Sequence, residues 1–100
     1  MKELIKLTEI ANKQINTNSM SRSKAWREVM AREMIVKYFI DTIYPSIDSR
    51  YKGWTEAARH FNKTHGAMIN NYRAATDHIE TESLYRDRYN EIVAAYQSAN

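Results

Sequence analysis

One hundred residues make a single domain, long enough to bury about two-thirds of the unfolded chain's surface. Leu, Ile, Val and Phe number only 18, but five Met, seven Tyr and two Trp restore a core, and a net charge of +3 is too small to force the chain open. The absence of Cys excludes a disulfide, a thiolate metal site and a cysteine nucleophile, and no run of eighteen apolar residues offers a membrane span.

Two Gly and one Pro leave few turn points, so the chain reads as all-α, with about five helices around a long central one. The first helix spans Lys2 to Ile15, with Leu4, Leu7, Ala11 and Ile15 on one face. Charges interrupt its apolar start, which removes a secretory core, so the expectation is a small, soluble, cytoplasmic domain. Ile5 and Ile10 lie off the main stripe and suggest a homodimer or partner surface on helix one. Residues 16–21 form a polar loop, after which Ser21 or Ser23 caps the second helix. That helix ends near Ile43, because Pro45 pushes Tyr44 out of the helical region. Its apolar residues, from Trp26 through Met30, Met34, Ile35 and Phe39 to Ile43, point nearly all round, which marks it as the centre of the fold.

Ser46 to Lys52 reads as a linker with one helical turn. Gly53-Trp54-Thr55-Glu56 reads as the start of a short third helix ending near Phe61. Asn62-Lys63-Thr64 is a turn, with Thr64 as N-cap of a fourth helix over His65 to Ile79. Thr81 then caps a last helix from about Glu82, with Tyr85, Tyr89, Ile92 and Tyr96 on its buried stripe. Both Trp26 and Trp54 are expected in the core, whereas Tyr51, between Arg50 and Lys52, is expected at the surface.

Charge is unevenly placed. Residues 1–76 carry 13 Lys/Arg against 7 Asp/Glu, and residues 77–100 carry 2 against 5. A basic body with an acidic tail suits an anionic partner on one part of the surface.

A short helix, a three-residue turn and a longer helix form a helix-turn-helix pattern. On the fourth helix, Met68, Ile69, Tyr72, Ala75 and Ile79 share an inner side, while Gly66, Ala67, Asn70, Arg73, Ala74 and Asp77 share the outer one. Small residues there allow close backbone approach, and an amide and a guanidinium can read base edges. Lys63, Thr64 and His65 stand at the helix N-terminus, where exposed amides favour phosphate. Phe61 and Tyr72 are expected to join this pair to the central helix.

Ala58-Arg59-His60-Phe61-Asn62-Lys63-Thr64-His65-Gly66-Ala67-Met68-Ile69 resembles the motif of the C-terminal domain of the bacterial replication initiator DnaA. Ser21-Arg22-Ser23-Lys24, with Arg27-Glu28-Val29 after it, is similar to that family's basic loop and the start of its central helix. Leu84-Tyr85-Arg86-Asp87-Arg88-Tyr89 resembles the beginning of its last helix. The resemblance implies a Trp-repressor-like fold that binds double-stranded DNA, with Arg22 in or along the minor groove, Lys24, Arg27 and Lys63 on phosphates, and the Thr64 cap fixing the DNA-binding turn so that His65 and Gly66 enter the major groove. Asn70 and Arg73 follow further along the helix. Thr64 stands where the family usually has Asp, and Gly66 and Ala67 stand where it has Ser or Thr; Ala67 can still meet a thymine methyl.

No GxxxxGK[ST] occurs, so no nucleotide-driven activity is expected. His60 and His65 lie five apart, wrong for a helical two-His metal site, and no Ser or Thr has the setting of a nucleophile. The expectation is a non-catalytic, cofactor-free DNA-binding domain. The competing reading is a protein-interaction module on the same fold that modulates a replication or transcription factor.

Overall fold

The computed structural model describes residues 2–16 and 26–99, and among them every regular element is helical. The five helices are α1 (Lys2–Ile15), α2 (Trp26–Ile43), α3 (Arg50–Phe61), α4 (His65–Thr81) and α5 (Ser83–Ser98), with a 3₁₀ turn at Ile47–Ser49 before α3. The expected cap of the second helix at Ser21 or Ser23 lies outside the described residues. No helix among the described residues is long and apolar enough to cross a membrane.

The centre is α2, which packs on α1, α3 and α4, while α5 closes the remaining side against α1 and α4. Met30, Ala31, Met34, Ile35, Val36, Phe39 and Ile40 are all buried, as expected for a helix covered on several sides. Leu4, Leu7, Ala11 and Ile15 meet it from α1, and Tyr85, Ile92 and Tyr96 from α5. Tyr38 and Tyr96 meet edge-to-face, with ring centroids 5.4 Å apart. Two charged residues are buried with them, Arg32 and Glu33. Glu33 Oε1 accepts a hydrogen bond from the Tyr85 hydroxyl at 2.9 Å, which ties α5 to α2.

Several expectations need correction. Trp26 is 69% exposed, because it stands at the first position of α2 on the wall of a surface pocket that Ile15 and Leu84 also line. Ile10 packs against the core, so of the pair proposed as a helix-one surface only Ile5 is exposed. The third helix starts at Arg50, three residues ahead of Gly53. Ser46 Oγ accepts from the Asp48 amide at 3.3 Å and nucleates the 3₁₀ turn, whose last residue leads straight into α3. Gly53 is therefore a helix-interior residue. It is buried, and a Cβ built there would lie 2.6 Å from Ile40 Cδ1 and 2.9 Å from Tyr44 Cδ2. Close approach of α3 to α2 is the reason for that glycine. Thr81 does not cap α5; it ends α4 and donates to the Asp77 carbonyl at 2.8 Å, leaving extended Glu82 between the helices.

The link between α3 and α4 is short because both of its ends are capped. Asn62 adopts a left-handed φ of 54°, Lys63 N–H donates to the Ala58 carbonyl at 2.9 Å, and Asn62 N–H donates to that of Arg59 at 3.3 Å. This pair of bonds is the Schellman closure of a helix. Thr64 then turns the chain into α4, its hydroxyl accepting from the Ala67 amide at 3.1 Å.

Candidate nucleic-acid interface

Two elements present the candidate surface, α4 and the exposed side of α3. Gly66, Asn70, Arg73 and Asp77 recur at steps of four, three and four, and all are exposed. Lys63 and Thr64 are exposed just ahead of them. The opposite side is held by Met68 and Ala75, both buried, and by Tyr72 and Ile79 packed against the core. Ala67 also packs against the core and Ala74 is half-buried, so the outer face is narrower than expected. Ile69 departs the other way. It lines a surface cleft instead of the core.

Tyr72 anchors this face to α2. Its hydroxyl donates to Asp41 Oδ1 at 2.6 Å, and its ring meets that of Trp54 edge-on at 5.5 Å. Asp41 also pairs with Lys37 at 2.8 Å and with Arg50 at 3.7 Å, and both cations lie over the Tyr72 ring. One carboxylate thus ties together α2, α3 and α4. Phe61 is buried beneath the turn. Trp54, half-buried against the core, supports the same junction.

His65 does not stand free at the tip of α4. It is half-buried, Nε2 lies 3.2 Å from Thr55 Oγ1, and its ring lies against Tyr51 with centroids 5.1 Å apart. Tyr51 itself is 73% exposed, as its charged neighbours suggested. Beside these residues opens a cleft of about 510 Å³, lined by Ile47, Tyr51, Trp54 and Ile69 together with Arg50 and Arg73. Ile47 is 83% exposed and Ile43 is partly exposed nearby in the chain.

The structure does not gather every expected residue. Arg22 and Lys24 lie outside the described residues. Arg27 is exposed, but it lines a separate pocket with Glu82, Leu84, Tyr85 and Arg88. The helices α2 and α4 run antiparallel: Tyr72 reaches Asp41 near the end of α2, and Glu82, just past α4, shares a pocket with Trp26, Arg27 and Met30 at the start of α2. Arg27 therefore sits by the far end of α4, about 25 Å of helix from His65.

Thr55 was not singled out from the sequence, and neither were the exposed Lys52 and Arg59 of α3. Thr55 follows Tyr51 by four residues and so shares its helix face, which is the one signal the sequence holds for it. His60, set aside as a metal ligand on spacing, bonds Thr8 of α1 at 2.9 Å, and burial pushes its imidazole below the ordinary range. Among the described residues no three His, Asp or Glu side chains converge to hold a metal ion. No family model, curated protein or solved structure matches this chain.

Proposed function

We propose that this chain is a non-catalytic, double-stranded DNA-binding domain that lays the exposed face of α4 into the major groove as the second helix of a helix-turn-helix. One observation carries the reading: the stripe Gly66, Asn70 and Arg73 is free of core contacts and begins beside a Thr64-capped N-terminus flanked by Lys63. A major groove about 12 Å wide admits a helix. Gly66 lets the backbone come close, Asn70 and Arg73 suit adenine and guanine edges, and Lys63 suits phosphate. The resemblance to the DnaA C-terminal domain supports a role in cytoplasmic replication initiation or its regulation, with Arg22 and Lys24 as further DNA contacts.

The test is discrimination between a selected duplex and a random one. His65→Ala should reduce it by about 1–3 kcal/mol while random-duplex affinity stays nearly intact. Equal losses on both duplexes would make His65 a folding residue only. A wild-type protein that binds no duplex at low salt would sink the DNA reading.

A second reading has its own observation. Ile47 and Tyr51 expose apolar surface beside an aromatic cleft carrying two arginines, a composition found at protein–protein anchor sites. A protein-interaction module predicts that Ile47→Glu abolishes a biological activity while duplex binding is unchanged.

A further inference from the structure

The imidazole of His65 is held by a hydroxyl that has already committed its only proton. Thr55 Oγ1 donates to the Tyr51 carbonyl at 3.0 Å, the back-bond of a helical threonine. A hydroxyl has one proton. Where the same Oγ1 meets His65 Nε2 at 3.2 Å, it can only accept, so Nε2 carries the hydrogen. In the neutral ring the other nitrogen, Nδ1, is then a bare acceptor. Nδ1 has no partner among the described residues and is not sealed from solvent. Tyr51, tilted at 56° against the ring, limits its rotation.

We propose that Thr55, acting through His65, makes the first turn of α4 a reader of exocyclic amino groups. An Nδ1 acceptor pairs with the N6 amino group of adenine or the N4 amino group of cytosine, and it is repelled by guanine O6 and thymine O4. Lys63 beside it and Arg73 two turns further along α4 only donate, so His65 supplies a complementary preference that they cannot. Thr55 is a positioning residue and touches no base. The base preference rests on the DNA reading above, whereas the state of the ring does not.

Two measurements separate these parts. Long-range proton–nitrogen NMR of the DNA-free protein, at a pH where the ring is neutral, should show His65 protonated at Nε2 with that proton protected from exchange. Thr55→Val should lose the protection and Thr55→Ser should restore it. A ring protonated at Nδ1, or protection that survives in the Val variant, overturns the proposal even if duplex binding is intact.

Selection from a random duplex library should then yield a site with adenine or cytosine at one contacted position. That preference should fall on the order of tenfold in Thr55→Val and return in Thr55→Ser, with random-duplex affinity held. Guanine or thymine enriched there, or a preference indifferent to Thr55, also overturns it. If the ring is as stated but the wild type retains no duplex, the DNA reading fails and the base preference with it, leaving only the ring state.

Discussion

Glu33 shows how a single buried ionisable group sets a pH response. Burial pushes its carboxyl above the ordinary range, against the Tyr85 hydrogen bond and the nearby His78 and Arg32, which pull it down. The fold therefore binds a proton at Glu33 more tightly than the unfolded chain does. Its contribution to stability is fully present below the ordinary carboxylate range, about pH 4.3, and is lost as pH rises through the folded value. His60 acts in the opposite sense. Its imidazole is held low by burial, so its contribution is present above about pH 6.5 and is lost as pH falls through its folded value. Comparing a variant with its parent isolates one group from the other. Glu33→Gln keeps an acceptor for Tyr85 and removes the ionisation. Its melting temperature should lack the parent's Glu33-dependent decline on raising pH from about 4 to 7, and should exceed the parent's at pH 7. Parallel melting curves across that interval would show that Glu33 is ionised in both states alike.

At the scale of elements, the two glycines do opposite jobs, and paired substitutions separate them. Gly66 has open space where a Cβ would stand, the nearest contact being Thr64 Oγ1 at 3.8 Å. Gly66→Ala should therefore stabilise the fold by up to about 1 kcal/mol, the helix propensity difference. The same methyl holds the backbone away from a groove, so duplex affinity should fall while the melting temperature rises. Unchanged affinity would mean that the first turn of α4 does not approach DNA closely. Gly53→Ala gains the same propensity but drives a methyl into Ile40 and Tyr44, and overpacking of that kind costs about 1–3 kcal/mol. Its net effect should be a loss of stability with no gain at any pH, read by denaturant unfolding.

These glycines also mark where the sequence could and could not be read. The span of α1, the break before Pro45 and the Thr64 cap follow from local chemistry, namely apolar spacing, a fixed φ and a hydroxyl at a helix start. Gly53 looked like punctuation because its reason lies thirteen residues away, in Ile40 of another helix. The exposed stripe of α4 was legible from helical spacing. The Thr55–His65 contact was not, since it depends on how α3 crosses α4.

Over the whole molecule, the question is whether cationic charge acts by its place or by its sum. Lys52, Arg59, Lys63 and Arg73 are exposed on α3, the turn and α4, while Arg88 is exposed on α5 among Asp87, Glu91 and Glu82. Phosphate contacts by the first three, with Arg73 on a base edge, would give a slope of log affinity against log salt of about −2.7, roughly −0.9 for each phosphate neutralised. Replacing Lys63 with Ala should flatten that slope by roughly one unit, and Arg88→Ala should leave it unchanged. If Arg88→Ala flattens it equally, the protein meets DNA through diffuse net charge, and the α4 face has no special part. Arg27 gives the finest division, because it stands by the other end of α4 and beside Glu82. A flatter slope in Arg27→Ala would extend the interface along the full length of α4, about 25 Å, toward the segment holding Arg22 and Lys24. An unchanged slope would confine the interface to the first turns of α4 and the facing half of α3, where His65, Thr55 and Tyr51 meet.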